Sequence, residues 1–307
     1  MALDQSYLTY PKRRHGMDHD HYGWSSIDTR APIAWPNGKQ VAVWTVVDLE
    51  WFPIVAGDKP FRAPGHMQTP YPDYRHYTAR DYGTRVGFYR MLDAFAAVGA
   101  KVSVAANSAI AERYPSIIAD INAAGHEIIA HSTDMNGTIA SGLDEADERA
   151  LITQSLDTLE RVSGKRPRGW LSIARSQSFN TPRLLVEAGV EYMCDWVNDE
   201  LPYRFTTSAG AIVNVPLSHE LSDRQIIVAQ QNSAESYVEQ MIDAFDLMER
   251  ESAGGSGRML ALNVTPYILG LPYRIGAFET LLGELAKRPT AWFATGSEIV
   301  DAAHPVI

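Results

Sequence analysis

The chain has 307 residues, of which 45% are hydrophobic and 21% charged, a balance typical of a soluble globular protein with a substantial core. Its net charge of −10 argues against nucleic acid or an anionic membrane as a partner. It has no apolar run long enough to span a membrane, no signal-peptide pattern, and Cys194 as its one cysteine. We therefore expect a cytoplasmic protein without disulfides that acts on a small-molecule substrate.

The predicted elements begin after an aromatic and polar arm, residues 1–40, which we expect to pack outside the fold, at a subunit interface. Strands are predicted at 41–47, 101–106, 126–130, 169–174, 191–194, 211–217, 258–264 and 291–294, from β-rich apolar runs. Helices are predicted between them at 86–98, 112–125 (broken at Pro115), 143–164, 233–251 and 275–289. This alternation predicts an α/β fold, a distorted (β/α) barrel of seven or eight strands forming one domain over residues 41–307.

Polar or charged side chains follow the predicted strands. They are Asp48, Asn107, His131, Arg175, Asp195, His219, Thr265 and Thr295. Helix capping explains Asn107, Asp195 and Thr295, whereas His131, Arg175 and His219 are poor N-caps. Because active sites of parallel α/β barrels form at the C-terminal ends of the strands, we predict a functional site there.

Several stretches of the chain together carry a family resemblance. They are VDLEW (47–51), YGTRVG (82–87), GHEIIAHSTDMN (125–136), GWLSIARSQSFNTPRLL (169–185), CDWVNDELPY (194–203) and LNVTPYILGLPYRIG (262–276). Over about residues 38–303 the chain resembles the polysaccharide deacetylase (NodB-homology, carbohydrate esterase 4-like) superfamily, and most nearly its branch of metal-independent allantoinases and cyclic imide hydrolases. The resemblance implies a distorted barrel that hydrolyses an amide, acetamide, imide or ureide C–N bond.

The metal site that the resemblance implies is altered in this sequence. Metal-dependent members use two adjacent acids, a general base and then a metal ligand, with an H-x-x-x-H pair and an arginine that orients the base. Here Glu50 is followed by Trp51, and His131 is followed four positions later by Met135. A histidine that many relatives have near the seventh strand is replaced by Thr265.

These replacements predict that zinc is disfavoured and that no cofactor is needed. Tryptophan offers no lone pair, and a thioether is a soft, neutral donor, whereas zinc prefers imidazole, thiolate and carboxylate ligands. A slipped alignment that gives Asp48 the role of one of the acids remains open. So does a metal site of non-standard ligands, drawn from Asp48, Glu50, His131 and His219.

Catalysis is assigned to four residues: Glu50, His131, Asp48 and Arg175. Glu50 is predicted to activate water, with its pKa tuned by burial against Trp51 and Phe52. His131 titrates near neutrality and suits either proton transfer, so which of Glu50 and His131 is base and which is acid stays open. Asp48 would orient His131. Arg175 would bond a catalytic carboxylate or a substrate carbonyl.

Substrate contacts are predicted for a second set of residues: Arg85, Asp134, Asn136, Trp51, Trp170, Tyr203 and His219. Trp196 and Tyr267 would complete an aromatic-lined pocket. Each prediction has a plainer alternative, since aromatic residues commonly pack in the core and an Asx turn would account for Asp134 and Asn136. His219 fits an ordinary loop as well.

The function predicted from these residues is a metal-independent hydrolase of a small cyclic or linear amide, imide or ureide, using carboxylate and histidine acid–base catalysis. Without a metal to lower the pKa of water, the substrate must be more electrophilic than an ordinary acetamide. The alternatives are ester or C–C bond hydrolysis or a lyase step on the same fold, a metal-dependent deacetylase with non-standard ligands, and an inactive binding protein. By analogy with relatives, we expect a homodimer or homotetramer.

Overall fold

A computed structural model describes residues 18–57, 69–70 and 72–307. Of the predicted arm, residues 1–17 lie outside this description, and residues 18–40 contain two short 3-10 turns, Ile27–Thr29 and Pro36–Gly38. The end of the arm is anchored to the fold, because the buried Trp35 indole donates to the Arg258 carbonyl oxygen at 2.8 Å.

One sheet forms the centre of the protein. Its strands are β1 Val41–Leu49, β2 Ser103–Ala106, β3 Glu127–Ala130, β4 Gly169–Trp170, β5 Tyr192–Met193, β6 Tyr203–Thr207, β7 Gly210–Asn214, β8 Arg258–Val264 and β9 Ala291–Phe293. They lie in the order β6-β7-β5-β4-β3-β2-β1-β8, and β9 pairs with the start of β1. All the pairings are parallel except that of β6 with β7.

The predicted α/β class is confirmed, as a curled half-barrel. Within the described residues no backbone pairing joins β8 to β6, so the sheet does not close. The antiparallel strand β6 was not predicted. Its residues, YRFTT, bury Phe205 but leave their neighbours partly exposed, so no apolar run marks the strand.

Helices cover the sheet. They are α1 Tyr74–Tyr82, α2 Phe88–Val98, α3 Ser108–Arg113, α4 Pro115–Ala123, α5 Glu145–Ser163, α6 Thr181–Glu187, α7 Ala234–Ser252, α8 Ile275–Ala286 and α9 Gly296–Ala303. Wider π-helical turns occupy Gly83–Gly87 and Arg224–Ala229. Thr295 caps α9 as predicted, whereas the side chains of Asn107 and Asp195 cap no helix. Among the residues that the structure describes, no helix is both long enough and apolar enough to cross a membrane.

Strand β1 is buried along its whole length and places the site by its alternation. Val43 and Val47 face the helices, whereas Trp44 and Val46 belong to the core enclosed by the curled sheet. Because side chains alternate along a strand, Asp48 lies on the same face as Trp44 and Val46. The first strand therefore carries a carboxylate to the inner face at its C-terminal end.

Candidate active site

A buried polar cluster lies at the C-terminal ends of β1, β3 and β8. Its members are Asp48, Glu50, His131, Arg224 and Asn263, and Tyr267 lies beside them. Residues paired across the sheet explain this convergence, since Leu49 pairs with Ala106 and Ala106 with Ala130. The predicted meeting of β1 and β3 residues at this end is therefore present.

Neighbouring side chains hold Glu50 through one of its two carboxylate oxygens. Its Oε2 accepts a hydrogen bond from the Tyr267 hydroxyl at 2.8 Å and lies 2.7 Å from Nη2 of Arg224. Burial disfavours the charge, but Arg224 and His131 outweigh burial and lower the pKa of Glu50 to about 2. Burial of Glu50, which the sequence interpretation expected to tune this pKa, acts in the raising direction, and the Trp51 ring lies against Tyr77 and Tyr114.

His131 is held by its other ring nitrogen. Its Nδ1 donates to the Leu171 carbonyl oxygen at 2.7 Å, which directs Nε2 towards Glu50. Burial opposes a charged ring, but Glu50 and Asp48 outweigh burial and raise the pKa of His131 above its usual value. The Asn107 amide donates to the His131 carbonyl oxygen and accepts from the Trp51 backbone N–H, so it joins the ends of β1 and β3.

The two atoms that face each other in this pair are both buried and lack a hydrogen-bond partner among the described residues. They are Glu50 Oε1 and His131 Nε2, which lie 3.6 Å apart, too far for a direct hydrogen bond. Buried polar groups are normally hydrogen-bonded, and exceptions call for an explanation such as a water or a ligand. A carboxylate oxygen and an imidazole nitrogen thus face the same space.

Asp48 and Arg175 are joined through Asn263. The Asn263 amide donates to Asp48 Oδ1 at 2.8 Å, and its oxygen accepts from Arg175 Nη2 at 3.3 Å. Burial raises the pKa of Asp48, although Arg224, 3.6 Å from Oδ2, acts in the opposite direction. Among the described residues the predicted direct bond from Arg175 to a catalytic carboxylate is absent, because the Asn263 amide lies between the two; the predicted alternative, a bond from Arg175 to a substrate carbonyl, stays a prediction.

Arg224 was not identified from the sequence. Its Nε donates to the Thr265 hydroxyl at 3.1 Å, while Nη2 lies against Glu50. Asp223 fixes this turn, because its carboxyl group accepts from the Thr265 backbone N–H at 2.6 Å and hydroxyl at 3.0 Å. Burial raises the pKa of Asp223 to about 7. In the sequence SDRQ reads as a plain polar loop, and nothing in it marks the π-helical turn that Arg224 begins.

Tyr267 is positioned by a close backbone contact. A Cβ atom on Gly87 would lie 2.1 Å from the Pro266 carbonyl oxygen, so the π-helical turn before α2 and the loop after β8 approach as only glycine allows. The Tyr267 ring then lies 5.4 Å from the Arg80 guanidinium carbon and 5.7 Å from that of Arg224. The sequence suggested Tyr267 as a pocket aromatic but not as a hydrogen-bond donor to Glu50.

Left-handed backbone conformations concentrate at this end of the sheet. Ser132, Ala174 and Arg175 have φ values of 63°, 52° and 54°. Such conformations are costly for residues other than glycine and often mark functional sites. They follow β3 and β4, where the chain turns sharply away from the cluster.

Substrate contact stays a prediction for each of the residues assigned to it from the sequence. These residues are Arg85, Asp134, Asn136, Trp51, Trp170, Tyr203 and His219. Within the described residues, none of the seven forms a hydrogen bond or ion pair with the side chains of Asp48, Glu50 or His131. The Asx turn is present, since Asp134 Oδ1 accepts from the Asn136 N–H at 2.8 Å. Asn136 also accepts from the Gly57 N–H at 3.1 Å and so holds the loop after β1. His219 is exposed.

The donor set at the cluster does not fit a divalent ion. Met135 is buried in an apolar cluster with Phe52 and Ile173. Among the residues described, no group of three or more His, Cys, Asp or Glu side chains is arranged to hold a metal. The position beside both carboxylates is occupied by the Arg224 guanidinium. We therefore derive no step through a metal.

Comparisons with known proteins agree with this architecture. Residues 73–193 match the family model for polysaccharide deacetylase. A Schizosaccharomyces pombe protein named as a polysaccharide deacetylase is 25% identical over 308 residues, covering 88% of this chain and 93% of its own. A solved structure from Pseudomonas aeruginosa PAO1, likewise named, has 27% identity and a TM-score of 0.80 over 88% of this chain and 93% of its own. PuuE allantoinase has 26% identity and a TM-score of 0.82 over 90% and 95%.

Proposed function

The chain carries a polysaccharide deacetylase (NodB) domain, and from that premise we propose that it hydrolyses a C–N bond of a small cyclic or linear amide, imide or ureide without a metal ion. The observation that carries the proposal is the facing pair of Glu50 Oε1 and His131 Nε2. Arg224 supports it, because it supplies the positive charge beside both carboxylates.

In this proposal Glu50 and His131 each carry out one of the two proton transfers. Glu50 is ionised, and its Oε1 accepts a proton as the oxygen of water attacks the carbonyl carbon. His131 is protonated below its raised pKa and donates from Nε2 to the leaving nitrogen as the C–N bond breaks. Arg224, which contacts Glu50, and Arg175, which reaches Asp48 through Asn263, supply the guanidinium groups that stabilise the oxyanion in this proposal, an effect on the order of a few kcal/mol per donor.

The acidity of Glu50 favours an electrophilic substrate. A carboxylate with a pKa of about 2 is a weak base, so it assists poorly in attack on an unactivated acetamide. Imides, and ureides whose nitrogen is acylated, have more electrophilic carbonyl groups, because the nitrogen lone pair is shared between two carbonyl groups. The similarity to a structure named as an allantoinase supports this substrate class.

A substrate panel assayed in the presence of a chelator tests the proposal. It would contain cyclic imides, cyclic amides and ureides beside linear acetamides, N-acetyl sugar oligomers and activated esters. We expect turnover of one or more ring compounds. Turnover of esters alone would favour a different reaction on this fold, and turnover of N-acetyl sugars that requires added metal would contradict the proposal.

The pH dependence of kcat/KM should follow His131. Because Glu50 and Asp48 raise the pKa of His131, its proton is present below the raised pKa and is lost as the pH rises through it. The rate should therefore fall on the alkaline side, with a midpoint above the ordinary histidine value of about 6.5. Glu50, with a pKa of about 2, should add no acid limb near neutrality. A rate that rises with pH through this range would assign His131 the role of base instead.

A further inference from the structure

Arg224 contacts the cluster in the way a bound cation would. Its Nη2 lies 2.7 Å from Glu50 Oε2 and 3.6 Å from Asp48 Oδ2, and its Nε donates to the Thr265 hydroxyl at 3.1 Å. The face of Tyr267, 5.7 Å from the guanidinium carbon, adds the negative side of an aromatic ring. Its side chain is 13% exposed, and those of Asp48 and Glu50 are 6% and 1% exposed.

The buried carboxyl groups beside Arg224 depend on its positive charge. Asp48, Glu50 and Asp223 are buried carboxyl groups; the pKa of Glu50 is lowered, so it carries the negative charge, while the pKa values of Asp48 and Asp223 are raised. The other positive groups nearby serve other partners: Arg175 reaches Asp48 through Asn263, and His131 faces the other oxygen of Glu50. Removing one partner of a buried ion pair leaves an uncompensated charge, which is strongly unfavourable.

We infer that Arg224 takes the electrostatic place of a metal ion in this site, and that removing its guanidinium creates a binding site for a small planar cation. The acceptors would remain in place without it. Glu50 Oε2 is still aligned by the Tyr267 hydroxyl, and the Thr265 hydroxyl is still anchored to Asp223. These groups and the Tyr267 face match the guanidinium ion in shape and charge. The inference deepens the proposed function and rests on it for its catalytic meaning, but its test needs no turnover.

The test is the thermal unfolding of Arg224→Ala with guanidinium chloride at millimolar concentration, compared with tetramethylammonium chloride at the same ionic strength. Loss of a buried charge partner should lower the Tm by roughly 5–8 °C. Guanidinium should restore at least about half of that loss by binding the folded state, whereas tetramethylammonium, which cannot donate hydrogen bonds, should not. The wild-type Tm should not rise with either salt.

Matched variants separate charge replacement from general effects. Arg168→Ala removes a partly exposed arginine that pairs with Glu191 and Asp301 away from the cluster, and it should show no guanidinium response. Arg224→Ala combined with Glu50→Gln removes a facing charge as well and should respond less than Arg224→Ala alone. If Arg224→Ala does not fold, Arg224→Gln provides the same comparison.

An Arg224 variant whose Tm responds to guanidinium no more than the Arg168 variant would overturn the inference. A wild-type protein that is itself stabilised by about one equivalent of Zn²⁺ would also overturn it, because the cation position would then be open with Arg224 present. Failure of the substrate panel would count against the proposed function alone, since the unfolding measurement does not depend on catalysis.

Discussion

His131→Gln should lower kcat/KM by about 10²–10⁴-fold, the range typical of a general acid or base, with a smaller change in KM. Glutamine preserves a polar side chain near the Leu171 carbonyl oxygen but cannot deliver a proton to a leaving nitrogen. The residual activity should also lose the alkaline limb, because the group that titrates there has been removed. Steady-state kinetics across pH on the substrate found in the panel measures both effects.

His126→Gln is the matched control for this variant. His126 lies just before the other end of β3, where burial lowers its pKa to about 4 and its ring packs against Phe95. That variant should keep near wild-type turnover. Near wild-type turnover in His131→Gln would remove His131 from the mechanism.

Glu50→Gln should reduce kcat/KM by a similar factor of about 10²–10⁴, because an amide accepts no proton from water. It should also lower the pKa of His131, since a negative charge close to a buried imidazole favours its protonated form. The second effect distinguishes loss of the base from general disruption: the imidazole of the folded variant should titrate at lower pH in an NMR titration of the histidine ring.

Glu220→Gln serves as control for Glu50→Gln, because Glu220 is exposed in the loop after β7. It should leave both the turnover and the His131 titration unchanged. A Glu50 variant with an unshifted His131 pKa would show that the two side chains are not coupled, and unreduced turnover would exclude Glu50 as the base.

The meeting of Glu50 and His131 was predictable, because each follows a strand and neighbouring parallel strands end at the same edge of the sheet. Glu50 follows a strand that reads clearly as apolar, and His131 follows another, so their meeting requires just the parallel order of β1, β2 and β3. Asp48 was predictable for the same reason, from alternation along β1. Trp51 and Met135, which stand where the family resemblance implies metal ligands, were also readable from the sequence, and both side chains are buried.

The partners of that pair were not predictable, because they depend on three-dimensional packing. Arg224 lies 174 positions from Glu50 in the chain (224 − 50) and reaches it from a π-helical turn that the sequence does not mark. Asn263 lies within an apolar strand, where an inward amide reads as an interruption. Tyr267 reaches Glu50 through a backbone contact between Gly87 and Pro266, which no local pattern indicates.

The lengths of short strands were also hard to predict, because packing rather than local sequence determines where they end. Residues 169–174 were predicted as one strand, yet β4 covers Gly169–Trp170 before the chain enters the left-handed turn at Ala174. Helix α1 was missed because its residues, YRHYTARDY, carry no continuous apolar face; it is instead capped by Asp73, which accepts from the His76 N–H at 2.9 Å. Local periodicity detects long apolar elements better than short or polar ones.

Metal content and chelator response, measured together on the purified protein, test the absence of metal chemistry most directly. The arrangement of Arg224 beside Asp48 and Glu50 predicts far less than one transition ion per chain and a turnover rate that exhaustive chelation leaves unchanged. About one tightly held ion per chain, with activity that disappears on chelation and returns when that ion is restored, would contradict the account.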